Sequence, residues 1–446
     1  MSKALLYGFS LQPLPILDSA LMPEPIVLGI DVGTSGVRIV STNSDHGIVA
    51  FAEMALPAPL KVGAAVTQDA ELWWQAVSKV LDELRSKISF DRVVAISVDG
   101  TSGTVLAIDE NGVPVAPASM YNDASAKTAS NVIAKVAPPE TAAHGVTSPL
   151  GRAITLQKIS GVARILHQAD WIASRFIGQF DMSDENNALK TGYDPISRSW
   201  PDWLDAVGFD IKLLPKIVPV GTSIGSVSIE TQKRFGFHRN TKVVSGTTDG
   251  CAAFLATGAD QVGDGVTSLG TTMVIKLLSE KPIFAPQYGL YSHRIGDLWL
   301  PGGASNSGGA ALFRHFDAAE MAALEPLMQI EQPIGLDYYP LAGIGERFPI
   351  YDPQMLSRVS PRPIEDAQFL QGLLEGIANI EALSYQRMAE LGGPSLNRIF
   401  TVGGGSKNKA WGQIRAKKLG VPMHLPASHE AAVGAARLAW KGVAKS

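Results

Sequence analysis

The chain has 446 residues, 46% hydrophobic and 18% charged, which is enough apolar material for two ordinary domain cores and too much for disorder. Its 38 basic and 42 acidic residues give a formal net charge of −4. No Lys/Arg run marks a nucleic-acid partner, and no stretch of about 18 apolar residues marks a membrane span. A single cysteine, Cys251, rules out an intrachain disulfide, fits a reducing cytoplasmic setting, and reads as a buried structural thiol in its apolar run.

In chain order, residues 1–25 read as an N-terminal extension, moderately apolar but broken by Pro13, Pro15 and Pro23. The apolar run 26–30 and the alternating run 37–41 flank a Gly-Thr-Ser-Gly turn and predict a β-hairpin. Residues 69–86 have helical spacing, 93–97 read as a buried strand, and Asp99-Gly100-Thr101-Ser102-Gly103 reads as the turn after it. Strand, helix, strand in that order predicts an α/β layer fold. An amphipathic helix is expected over 164–176 and a strand over 243–246. In the second half, helices are expected over 310–316, 368–391 (stopped by Gly392), 408–419 (stopped by Gly420) and 429–440, with a strand over 398–402. The hairpin pattern around Gly33-Thr34 recurs around Gly270-Thr271, which predicts two similar domains facing each other across a cleft.

Four turns carry candidate chemistry. Asp31-Val32-Gly33-Thr34-Ser35-Gly36 offers backbone N–H groups and hydroxyls to phosphate oxygens, with Asp31 at a strand end able to hold a metal-bound water or a substrate hydroxyl. Ser268-Leu269-Gly270-Thr271-Thr272 is a second such hairpin without a carboxylate. Gly403-Gly404-Gly405, followed by Asn408 and a helix, allows close backbone approach to a flat ligand. Asp249, in Thr247-Thr248-Asp249-Gly250, is the candidate base: phosphoryl transfer to an alcohol needs a positioned hydroxyl and a late proton acceptor. Each turn alone is equally compatible with an ordinary structural turn. Gly-x-x-x-x-Gly-Lys-Ser/Thr, His-Glu-x-x-His and paired cysteines are all absent, which excludes P-loop, zincin and metal–thiolate chemistry.

The ordered set of Asp31–Gly36, Asp99–Thr104, Gly246–Asp249, Ser268–Thr272 and Gly403–Gly405 resembles the FGGY carbohydrate kinases from residue 26 onward. Tyr121-Asn122, 167–171, Asn186–Lys190, Gly192–Asp194, Gly302–Asn306, Asp337–Leu341 and Gly345–Pro349 make it most similar to the short cyanobacterial and plant xylulose-kinase-like branch assigned as D-ribulose kinases. The resemblance implies two actin-like (ribonuclease H-like) α/β domains flanking an ATP/sugar cleft, residues 26–250 on the sugar and phosphate side and 251–446 on the nucleotide side. It implies a monomer or homodimer that uses ATP and Mg²⁺ to phosphorylate a pentulose.

By position, the resemblance makes Asp249 the base, puts Asp31 and Thr34 near the transferred phosphate, and makes Asp31 the metal ligand. Asp31, Ser35, Gly36, Ser102 and Asp249 would contact the sugar. Gly270, Thr271, Gly403, Gly404, Gly405, Asn408 and Trp411 would hold the nucleotide, although core packing explains Trp411 as well. The pattern departs at three places: Asp99-Gly-Thr-Ser stands where long xylulokinases carry Gln-Met-His-Gly, Gly250 where serine is common, and Asp123 where glutamine is expected. The first favours ribulose over xylulose. Xylulose, ribitol, a non-catalytic sensor and a simple ATPase stay open as alternatives.

Overall fold

The computed structural model describes residues 24–444, so the predicted extension lies outside them apart from Glu24 and Pro25. Two six-stranded sheets organise the molecule. In the first, Ile26–Val32 pairs antiparallel with Gly36–Thr42, which pairs antiparallel with Ile48–Ala55. On its other side Ile26–Val32 pairs parallel with Val93–Gly100, and that strand pairs parallel with Lys242–Thr248. The second sheet repeats the scheme around Asp264–Leu269, with Met273–Leu277 and Leu298–Ser305 antiparallel on one side and Arg398–Val402 and Met423–His424 parallel on the other. The predicted duplication is therefore a shared strand order.

The hairpin strand Ile26–Val32 is buried at every residue, and the helix Ala70–Leu84 covers the sheet with Trp73, Val77, Val80, Leu81 and Leu84. Asp69 caps that helix by accepting from the Glu71 N–H at 3.0 Å. Burying each such side chain contributes about 1.5–3 kcal/mol. The helix Asp366–Glu390 plays the same part in the second half, placing Leu370, Leu373, Leu374, Ile377 and Ile380 in its core. Among the described residues no helix is long and apolar enough to cross a membrane.

Several predicted elements shift. Asp99 and Gly100 belong to the strand Val93–Gly100 rather than to the turn after it, because parallel pairing continues on both flanks. The helix expected over 164–176 is a strand, Arg164–His167, followed by a helix, Gln168–Ile177. Pairing with Val105–Ile108 claims the first four residues, and the Asp170 carboxylate accepts the His167 N–H at 3.3 Å to start the helix. The helix expected over 310–316 is the single turn Gly309–Leu312, with Asp317 capping a separate helix, Ala318–Leu324.

The last helix, Ala431–Ala444, packs against the first sheet although it follows the second. Small residues permit this: a Cβ on Gly29 would lie 1.9 Å from the Ala432 carbonyl oxygen, and one on Gly434 would lie 1.9 Å from that of Ala252. Gly434→Val is therefore expected to destabilise the protein by about 3 kcal/mol in urea unfolding. Gly412→Ala, on an open face of Lys409–Leu419, is expected to leave the midpoint unchanged or slightly raised.

Candidate active site

Parallel pairing sets the site. Across the first sheet Asp31 lies beside Asp99, and Asp99 beside Thr247. Between Val244 and Thr247 the last strand bulges, and Gly246 approaches so closely that a Cβ there would meet the Val98 carbonyl oxygen at 1.6 Å. The bulge re-aims the strand end, and Asp249 opens the helix Asp249–Ala256 immediately afterwards. Three carboxylates thus gather at the carboxyl ends of adjacent parallel strands, where ligands bind in open α/β sheets.

A cleft of about 950 Å³ opens there, lined from the first half by Asp31, Gly33, Thr34, Ser102, Lys190 and Asp249 and from the second by Lys276, Tyr291 and His293. Asp249 is half-buried, and its Oδ1 accepts the Gly250 N–H at 2.7 Å and the Ser102 N–H at 3.4 Å. Asp31 is buried and bonded to Arg38 at 3.4 Å. Burial, and then the charge of Asp249, pushes the Asp31 carboxyl up to about 6. Asp99 is fully buried, with neither oxygen hydrogen-bonded among the described residues. Burial first, then the neighbouring Asp31 and Asp249, holds its carboxyl well above the usual carboxylate range. The sequence reads Asp99 as part of a turn and not as a site residue; its alignment with Asp31 shows only through the pairing of the two strands.

Carboxylate oxygens suit a hard cation, and Mg²⁺ is commonly held by one or two of them together with waters and substrate phosphates. Asp31, on the cleft wall, fits that requirement. No cluster of three His, Cys, Asp or Glu among the described residues encloses a metal by itself.

The structure brings together Asp31, Thr34, Ser102 and Asp249. Ser35 and Gly36 belong to the same hairpin but do not line the cleft: Ser35 is exposed, and Gly36 packs against the Met54 carbonyl. The expected nucleotide residues sit at the ends of the second sheet. The strands before Gly270 and Gly403 pair parallel up to Ser268 and Val402, so the two turns are neighbours. Gly403 and Gly404 are exposed, as is Thr271. Asn408 caps its helix by accepting the Trp411 N–H at 2.7 Å. Trp411 is 3% exposed, and a Cβ on Gly405 would touch its ring at 2.6 Å. Its indole therefore supports the loop from beneath.

Two clips fix the second wall. Asn186 Nδ2 donates to the Thr247 Oγ1 at 3.0 Å and to the Arg294 carbonyl at 2.8 Å, while its Oδ1 accepts the Arg294 N–H at 2.8 Å. It thereby ties the strand before Asp249 to the strand Tyr291–Ile295. The Glu346 carboxylate gathers Ser305 Oγ, the Asn306 N–H and the Tyr339 hydroxyl at 2.5, 2.7 and 3.0 Å. Blocks 302–306, 337–341 and 345–349 thus brace the strand whose Gly302 and Gly303 line the cleft.

Two FGGY models cover the chain: the N-terminal domain of the FGGY family of carbohydrate kinases over residues 26–256, and the C-terminal domain over 265–442. The "Autoinducer-2 kinase" of Yersinia enterocolitica is 27% identical over 94% of this chain and 86% of its own length. That of Yersinia pseudotuberculosis serotype O:3 is 23% identical over 96% and 88%. Among solved structures, a xylulose kinase from Brucella ovis superposes with TM-score 0.84 at 21% identity, covering 94% and 91%. A gluconate kinase from Lactobacillus acidophilus gives 0.82 at 19%, covering 95% and 90%. Plasmodium falciparum glycerol kinase with ADP gives 0.81 at 18%, with the same coverage. The fold is thus that of the two-domain, actin-like sugar kinases. The chain belongs to the FGGY family of carbohydrate kinases.

Gly250 tests the link between the walls. Lys276 Nζ donates to its carbonyl, and an added Cβ would lie 2.9 Å from that nitrogen. Gly250→Ala is expected to displace the lysine's flexible end, raising the sugar KM several-fold while the thermal midpoint stays within about 2 °C. Steady-state kinetics with a melting curve check both.

Proposed function

We propose that the protein transfers the γ-phosphoryl group of ATP to the terminal hydroxyl of a pentulose, D-ribulose, giving D-ribulose 5-phosphate. The observation that carries this reading is Asp249, held by two backbone amides at the mouth of a cleft that Asp31 and Thr34 share. Oδ1 takes both amides, which leaves Oδ2 to accept the proton of the sugar's primary hydroxyl. Phosphoryl transfer runs through a loose transition state, so a positioned hydroxyl and a nearby carboxylate suffice. Ser102 and Asp31 orient the sugar beside the base. Thr34 presents its hydroxyl to the moving phosphoryl group while the Gly33 N–H closes the turn onto the Gly36 carbonyl, and the Gly270-Thr271 and Gly403–Gly405 turns hold the nucleotide. Mg²⁺ bound at Asp31 would neutralise phosphate charge. Asp99-Gly100-Thr101-Ser102 in place of Gln-Met-His-Gly supports ribulose over xylulose.

Asp249→Ala is expected to lower kcat about 10²–10⁴-fold in a coupled ADP assay with D-ribulose while nucleotide binding persists. Retained turnover would remove Asp249 as base. A panel of D-ribulose, xylulose, ribitol and autoinducer-2, named for the Yersinia relatives, assigns the substrate. ADP release indifferent to every sugar would mark an ATPase, and nucleotide binding without turnover a sensor.

A further inference from the structure

The wall opposite Asp31 and Asp249 carries an imidazole that the mechanism above leaves unused. His293 lies on Tyr291–Ile295, lines the cleft, and is 7% exposed. Neither of its ring nitrogens has a hydrogen-bond partner among the described residues. A buried donor and acceptor without partners carry a desolvation penalty, so such a ring on a cleft wall points to a ligand that completes it.

The surroundings narrow the ligand. Tyr291 and His293 share a strand face, two residues apart, with their rings 5.3 Å from centroid to centroid. Lys190, reaching across from the first half, places its Nζ 5.8 Å from the Tyr291 ring centroid. Lys276 stands one strand beyond Gly302 in the same row as Tyr291, and its ammonium spends one hydrogen on the Gly250 carbonyl, which leaves two for a ligand. Burial first, then the ammonium groups of Lys276 and Lys190, pushes the His293 pKa well below its ordinary value, so the ring is neutral and offers one N–H. Two ammonium groups and one ring N–H make a cluster in which donors outnumber the one acceptor, the other ring nitrogen. Such a cluster best matches an oxygen that only accepts.

We propose that His293, flanked by Lys190 and Lys276, is a specificity-determining residue that binds the carbonyl oxygen of the sugar and selects a 2-ketose over the corresponding polyol. This rests on the pentulose-kinase reading. With the base at the terminal hydroxyl and the donor cluster alongside it, the cleft recognises an open-chain ketose at two points along its chain. A pentitol hydroxyl also carries lone pairs, but it brings a hydrogen that neither ammonium group can accept, whereas the ketone oxygen only accepts.

The test compares wild type, His293→Phe and His293→Gln with D-ribulose, ribitol and D-ribonate, each as substrate or as competitive inhibitor. His293→Phe is expected to lower kcat/KM for D-ribulose roughly 10–100-fold, mainly through KM, with ribitol affected less than about threefold. The ATP KM stays within about twofold, and His293→Gln, which keeps an N–H donor, recovers most of the loss. Equal losses on ribulose and ribitol overturn the proposal, as does a loss confined to kcat or one that glutamine leaves unrescued. Tighter binding of D-ribonate than of D-ribulose by the wild type also overturns it, because the cluster is then a carboxylate site. Failure of the pentulose reading shows separately, as a wild-type enzyme that turns over no pentulose.

Discussion

Everything at the site follows from parallel pairing of three strands whose carboxyl ends carry acid groups. Ile26–Val32, Val93–Gly100 and Lys242–Thr248 run side by side, so Asp31 and Asp99 are neighbours and Asp249 follows one short bulge later. Like charges so close cannot all ionise freely. Burial acts unequally: Asp99 is sealed in the sheet with its carboxyl held well above the usual carboxylate range, while Asp249 stands half-buried at the cleft with amides on one oxygen. One row of similar side chains thereby meets different surroundings, and the bulge at Gly246 carries Asp249 out of the sheet that buries Asp99.

The second sheet supplies what the first lacks. Its hairpin turn has no carboxylate, and its strand-end loop is three glycines, so anions can approach backbone amides there without repulsion. Trp411 underlies that loop and keeps it from collapsing into the space its small residues leave. Asn186 mimics a strand partner by giving and taking a hydrogen bond with the Arg294 backbone, and joins the two halves at the back of the cleft. Its side-chain amide satisfies both polar groups of one residue, which few other side chains can do.

Much of this was legible in the sequence. The hairpins, the helix under the first sheet, the long helix Asp366–Glu390 and the paired turns all came from local signals: alternation, apolar period, a stopping Gly392 and Gly420. Asp31, Thr34, Ser102 and Asp249 came together because each ends or follows a strand. What escaped depends on long-range pairing. Arg164–His167 has the apolar content of a helix start, and only its partner Val105–Ile108 makes it a strand. Lys190, Lys276 and His293 belong to three elements and to no turn motif, so nothing local marks them as neighbours. Ser35 and Gly36 show the reverse: they sit in the right motif, yet the hairpin directs them away from the cleft.

The placement of Ala431–Ala444 has a consequence for how the protein is made. The first sheet emerges from the ribosome before the second, but one of its faces is finished by a helix that follows the second in the chain. Domains generally fold as units during synthesis, amino-terminal first. Here the first sheet waits with apolar strand surface uncovered until that helix has been made. Loss of that helix would therefore expose the half that carries Asp249, although the helix itself contributes only Ala431 to the cleft.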